Sequence, residues 1–464
     1  MPAAPTKPHL PPAAKHRAVS AAVLSLTMAL AAALYVAAAP GDGGRAGGHA
    51  PRGTAVPAST GAWVAAWATA PSGAEPGTRA RGMAGRSVRN VVRASVAGGA
   101  ARITLSNFYG RSPLTVTHAS IAVAAVGNTA VAAAGTMRRI TFSGAPAVVV
   151  PPGGRVTSDA VRIPVPQGGD VLVTTYSPGP SGPVTYHRHA QQISYVARGD
   201  RTGDVTGRPY TERTGHWRYL TALDVLSGEA DGTVVALGDS ITDGISSATG
   251  ANHRWTDLLS DRLRDAARAG RNVPRYSVVN EGISGDRLLT DGPGRPADSP
   301  GGLSRFGRDV LERTGVRVVV IDLGINDILH ASRPASPARI TAGLRSLVRR
   351  AHADGVKVVG ATLMPFRGHR GWTAAREAVR ERINTEIRAG RVYDAYADFD
   401  AALRDPRDPH RLRRDYDSGD HLHPSDLGYR RMASVFPLGD LAEAGRGDAV
   451  SAEMPPPPRR GAWR

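Results

Sequence analysis

The chain has 464 residues, a formal net charge of +18, 5% aromatic residues and no cysteine. That length exceeds what a single core usually organises, and without disulfides burial alone must hold each domain together. The positive excess is arginine spread along the chain, with Lys7, Lys15 and Lys357 the only lysines, and no basic block interleaves with aromatics. Nucleic acid is thereby excluded as the expected partner, and the bias reads as the codon composition of a GC-rich bacterial genome.

Lys7, Lys15, His16 and Arg17 precede an uncharged run from 18 to 39 that ends in small residues ahead of Gly- and Pro-rich sequence. A positive start, an apolar stretch and a small-residue end form the layout of a secretory signal, cleaved near Ala38 or Ala39; because Pro40 disfavours that cut, the alternative is a retained amino-terminal anchor. Residues 1–39 are expected to place the body of the protein outside the cytoplasm, and 40–60 to be a flexible linker. From 61 to 222 the helical period is missing. Runs at 87–96, 102–107, 114–117 and 170–176, rich in Val, Thr and Ile between turn residues, read as strands of an antiparallel β-sandwich-like domain. The segment 195–204 reads as the crossing to the next domain. The pair in His187-Arg188-His189 lacks the i, i+4 spacing of a helical metal site and reads as solvated loop histidines.

Between 231 and 441 the pattern changes to alternation. Apolar runs at 233–237, 276–279, 316–323, 356–363 and 391–396 read as strands, and helices are expected at 255–269, 337–353 and 372–389. In the second helix Ile340, Leu344, Leu347, Val348 and Ala351 recur at helical spacing; in the third, Ala375, Val379, Ile383 and Ile387 do so. Alternating strands and helices imply a parallel sheet covered on both faces, a three-layer α/β/α domain whose site lies at the carboxyl ends of the strands. Trp255, Phe306, Phe366 and Trp372 read as core. The stretch 442–464, with four consecutive prolines from Pro455 to Pro458 followed by Arg459 and Arg460, is expected to be disordered.

Chemistry concentrates at the ends of those strands. Gly238-Asp239-Ser240-Ile241-Thr242-Asp243-Gly244 puts a serine where a buried strand turns into a helix, a place that suits a nucleophile, although such a turn also occurs as a plain tight connection. A serine hydroxyl needs an imidazole within reach, and the imidazole needs a carboxylate; Asp420 and His423, three residues apart, can meet on one loop. His421 reads as a hydrogen-bonded loop residue. Asn326, in Gly324-Ile325-Asn326-Asp327, offers an amide donor at the same rim, and Gly285 a bare N–H for a developing oxyanion. An α/β-hydrolase elbow is absent, since Ser240 is followed by Ile241 and Thr242 rather than by x-Gly, and no phosphate-binding loop appears.

Taken in order, Gly-Asp-Ser, the glycine after the second strand, Gly-x-Asn-Asp and Asp-x-x-His resemble the four blocks of the SGNH (GDSL-type) esterase and lipase family. The resemblance spans Gly238 to His423. It implies Ser240 as nucleophile, His423 as general base and Asp420 as its orienting acid. It also implies an oxyanion hole from the N–H groups of Ser240 and Gly285 and the side chain of Asn326. No metal and no cofactor are implied, and the partner is an ester substrate: an acyl ester, a lipid or an acetylated sugar. The β-rich stretch, through Ser106-Asn107-Phe108-Tyr109-Gly110 and Ser158-Asp159, resembles the region that precedes the hydrolase in secreted members. It reads either as a wall of the cleft or as a surface for cell-envelope, membrane-surface or glycan contact. The latter carries the alternative function, a binding protein with an idle hydrolase domain. Oligomeric state has no sequence signal.

Overall fold

In the computed structural model, residues 61–331 and 336–444 are described, and the expected signal or anchor, the linker and the tail beyond 444 lie outside them. Five strands build the parallel sheet: β1 (Gly232–Gly238), β2 (Tyr276–Gly282), β3 (Val316–Asp322), β4 (Lys357–Ala361) and β5 (Ala395–Ala397), in the order β2-β1-β3-β4-β5. Every residue of β1 and β2 is buried, as strands covered on both faces require. The helices are α1 (Ser240–Asp243), α2 (Trp255–Arg268), α3 (Gly302–Phe306), α4 (Ile325–Leu329), α5 (Pro337–Ala353), α6 (Ala374–Arg388), α7 (Phe399–Leu403), α8 (Asp426–Val435) and α9 (Leu438–Ala444). Helix α5 begins where Ser336 caps the Arg339 N–H and Pro337 occupies the first turn, and its expected stripe is buried. Among the described residues no helix is long and apolar enough to cross a membrane.

Register sets the rim of the site. Gly238 pairs with Gly282 on one side and with Asp322 on the other, so the loops leaving β1, β2 and β3 start at one level. At Gly282 a Cβ would lie 2.3 Å from the Asp243 backbone nitrogen, so only glycine lets the end of β2 close on α1. The carboxyl-terminal part then folds back. Helix α8 contacts α2, the Tyr429 hydroxyl donates to the Ile245 carbonyl at 2.6 Å, and Asp426 accepts from the Ala248 N–H at 2.9 Å. Phe436, just after α8, stacks on Trp255. These contacts bring the loop before α8 over α1.

The region before the parallel sheet is antiparallel and β-rich. One sheet orders Ala62–Ala68, Leu220–Ser227, Gly98–Ser106 and Val161–Val165, with Arg155–Thr157 also paired to Gly98–Ser106. A six-stranded sheet contains Glu212–Thr214, Ser194–Arg198, Arg86–Arg93, Asp170–Ser177, His118–Val123 and Arg138–Ile140. Residues from both sheets, among them Ile103, Leu223, Val88 and Val173, share one buried cluster. The segment 195–204 does not cross between domains as expected. Tyr195, Val196, Ala197 and Arg198 pair with Arg86–Arg93, because this half-apolar run fits a sheet position. The chain instead passes to β1 through the turn that follows Leu220–Ser227, and both regions lie in one compact unit.

Candidate active site

Ser240 opens α1, immediately after the cap residue Asp239, whose carboxylate accepts the Ile241 N–H at 3.0 Å. His423 Nε2 lies 2.8 Å from Ser240 Oγ across 183 residues of sequence, and His423 Nδ1 lies 2.6 Å from Asp420 Oδ2. The structure therefore brings these three expected residues together. The Asp420 loop holds itself. Asp420 Oδ1 accepts the Leu422 and His423 N–H groups at 2.9 and 2.8 Å, and Asp417, which sequence reasoning passed over, accepts the Gly419 and His421 N–H groups. Partial burial raises the Asp420 carboxyl, but hydrogen bonds from the His423 side chain and backbone outweigh it and bring the carboxyl down to about 2. It is thus ionised throughout the neutral range and fixes the tautomer in which Nε2 faces the serine. His421 pairs with Asp417 at 2.6 Å, the hydrogen-bonded loop residue that was expected.

Asn326 and the Gly285 loop, expected to supply oxyanion donors, are tied to the residues that flank the serine. Asn326, in the first turn of α4, is buried and donates from Nδ2 to Asp239 Oδ2 at 3.1 Å, which leaves the second amide hydrogen for another acceptor. Gly285 is exposed and has φ of 80°, a backbone state that suits glycine. Its loop is gripped from three sides. Ser284 bonds to Asp243 through both N–H and hydroxyl, Asp286 pairs with Arg305, and the Leu288 and Leu289 N–H groups donate to Asp327. Asp243, Asp327 and Arg305 were missed from the sequence, although Asp327 belongs to the Gly-Ile-Asn-Asp block and was legible as a motif residue. Replacing Asn326 with alanine is expected to lower kcat roughly 10²–10³-fold with a smaller change in KM, read from steady-state ester hydrolysis.

Beneath the serine two carboxyls share a buried space. Burial and the neighbouring Asp322 push Asp239 well above the usual carboxylate range, and burial pushes Asp322 up to about 6 although Thr242 Oγ1 donates to it at 3.1 Å. An unfolded aspartate titrates near about 3.9, so between that value and 6 the native state holds more protons and stability falls as pH rises. Asp322→Asn is expected to raise stability at pH 8 by about 1–3 kcal/mol and to change nothing at pH 4, as measured by thermal unfolding.

Two expectations about other side chains change. His187 is not a solvated loop residue. It ends the short strand Thr185–His187, is buried, and lies 3.0 Å from Asp243 Oδ1, because the β-rich region packs against α1. Glu377, Glu381 and His410 bring oxygen and nitrogen atoms within 4.8 Å of one another. Arg380 and His410 already meet Glu377 Oε1 at 2.5 and 3.0 Å, so the group is an ion-pair cluster. Trp255, Phe306 and Phe366 are core residues, as expected, and Trp372 packs partly buried against the same core.

Comparison with known proteins places the same stretch. Residues 236–431 match the model of the GDSL-like Lipase/Acylhydrolase family. No curated protein matches the chain. Among solved structures, the chain is similar to a lipase/acylhydrolase from Enterococcus faecalis at 22% identity, covering 46% of this chain and 96% of that one with a TM-score of 0.34. It is also similar to a carbohydrate esterase family 2 enzyme with a carbohydrate-binding domain from Corynascus thermopiles (Myceliophthora fergusii), at 14% identity, 82% and 98% coverage and a TM-score of 0.35. An acetyl-xylooligosaccharide esterase from Geobacillus Stearmophilus is similar at 21% identity, with 45% and 93% coverage and a TM-score of 0.33. The parallel-sheet region that carries Ser240, Asn326 and His423 thus holds a GDSL-like lipase/acylhydrolase domain at residues 236–431.

Proposed function

We propose that the chain is an exported serine esterase that cleaves carboxylic esters through an acyl-enzyme on Ser240. The observation that carries this reading is the unbroken line from Ser240 Oγ through both ring nitrogens of His423 to the Asp420 carboxylate. His423 Nε2 takes the hydroxyl proton as Oγ attacks the carbonyl carbon. The resulting oxyanion accepts from the N–H groups of Ser240 and Gly285 and from the free amide hydrogen of Asn326. Collapse expels the alcohol, which takes its proton from His423, and a water activated by the same imidazole then releases the acid. Export rests on the layout of residues 1–39.

The test is p-nitrophenol release from an acyl series, acetate through palmitate, by the full chain and by Ser240→Ala. Activity on the short esters that disappears in the variant supports the reading and assigns small acyl groups. A profile that peaks at long chains assigns a lipase. A folded wild-type protein that is inactive on every ester overturns the assignment.

A further inference from the structure

We infer that His187, supplied by the antiparallel β-rich region, is a positioning residue for the oxyanion hole and acts through Asp243 and Ser284; the inference rests on the assignment of the Gly285 N–H to that hole. His187 Nδ1 lies 2.8 Å from the Ala70 carbonyl oxygen, and His187 Nε2 lies 3.0 Å from Asp243 Oδ1. A carbonyl oxygen only accepts, so Nδ1 carries a hydrogen. Asp243 accepts as well, taking the Ser284 N–H at 3.0 Å and the Ser284 hydroxyl at 2.5 Å on its other oxygen, so Nε2 is also a donor. Both ring nitrogens donate, and the ring is an imidazolium. Both side chains of the pair are only 3% exposed.

This pair joins two regions at the point where the site needs it. Asp243 is the last residue of α1, three after Ser240; Ser284 directly precedes Gly285. Asp243 thereby sets the spacing between the nucleophile's helix and the turn that presents the Gly285 N–H, and His187 supplies the buried hydrogen bond that holds the Asp243 side chain in that place. Burial alone would lower the His187 pKa, but the Asp243 carboxylate and the hydrogen bonds to Asp243 and Ala70 raise it. Arg254, itself held by Asp257, is the opposing cation facing the ring. Arg188 and His216 face the half-buried His189 next to it. A raised histidine pKa means that the contribution is complete at and below about pH 6.5 and is lost as pH rises through the folded value.

The experiment compares kcat and KM for a p-nitrophenyl ester, from pH 6 to 9.5, in wild type, His187→Phe, His187→Gln, Ser284→Ala and the Gln/Ala double variant, with Ser240→Ala as the reference for the site itself. His187→Phe is expected to lower kcat about 10- to 100-fold with KM little changed, the loss that a small displacement of a reacting group produces. His187→Gln keeps a neutral donor for Asp243, and Ser284→Ala keeps the backbone donor; each is expected to cost about 3- to 10-fold. Because both act through one carboxylate, the double variant should lose no more than the more impaired of the two single variants. The wild-type activity should fall on the alkaline side through a group that is missing in His187→Gln. Unchanged kcat in folded His187→Gln and Ser284→Ala, or losses that multiply in the double variant, overturn the proposal, and this holds even if His187→Phe fails to fold. A wild-type activity that Ser240→Ala leaves intact instead overturns the reading of the site on which it rests.

Discussion

Ser240→Ala is expected to lower kcat on p-nitrophenyl esters by about 10⁵–10⁶-fold, the loss typical of removing the nucleophile from a serine triad, with thermal unfolding unchanged within about 0.5 kcal/mol. The large kinetic effect follows from geometry. Ser240 Oγ is the only partner of His423 Nε2 among the hydrogen bonds of the described residues, so without it the imidazole has no proton to take and no covalent intermediate can form. The small stability effect follows from the same fact, since one hydroxyl near the surface of the site is removed and the methylene stays. Residual turnover should come from the oxyanion donors and from substrate binding. Asp420→Asn is the companion measurement, with an expected loss of about 10⁴-fold because a neutral amide selects the wrong tautomer of His423. If Ser240→Ala kept a tenth or more of the wild-type rate, the nucleophile would have to be another residue.

Arg305→Ala is expected to cost about 3–5 kcal/mol of stability, the range for removing one partner from a fully buried ion pair. Arg305 has no solvent exposure at its side chain, nor have Asp286 and Asp309, the carboxylates it meets at 2.7 and 3.4 Å. Arg308 and Arg313 complete a cluster in which three guanidinium groups face Asp286, Asp309 and Glu281. Removing one cation leaves an excess negative charge in the interior, and it also removes the Arg305 hydrogen bonds to the carbonyls of Glu281 and Gly238 at the ends of β2 and β1, of which Gly238 keeps its bond from the Ile283 N–H. Burial already raises Asp286 to about 7 and Glu281 to about 8 against the pull of the arginines. Loss of Arg305 raises them further, and a raised carboxyl destabilises the native state as pH rises. Urea denaturation should therefore show a deeper defect at pH 8 than at pH 5. Equal defects at the two values would mean that the lost packing of the side chain, rather than its charge, dominates.

The same cluster explains why catalysis and stability are joined here. Arg305 ties the residue before Asp239 to the residue after Gly285, and Asp327 ties the Gly285 loop to the helix that carries Asn326. The proposed oxyanion donors are thus held by strand ends and buried charges, which keep them in place without help from the substrate.

What the sequence determined by itself was local. Periodicity marked β1 to β4 and the long helices within a few residues, because each is a continuous apolar run or a stripe that repeats over several turns. Asp420 and His423 were legible as a pair because three residues on one loop suffice for them to meet, and Ser240 and Asn326 because each sits where a buried strand ends. The expected crossing at 195–204 failed because a half-apolar run in that stretch carries no sign of which neighbour it will pair with; the partner strand, Arg86–Arg93, lies a hundred residues away. His187 reads in the sequence as one of two loop histidines, and only the packing of the β-rich region on α1 turns it into the buried partner of Asp243. Arg305, likewise, has no pattern of its own, since its partners Asp286, Gly238 and Glu281 come from three different loops and strands. Spacing along a chain encodes contacts within a turn, a strand or a helix. Contacts between distant elements depend on sheet order and register, and here those placed the charges that hold the site.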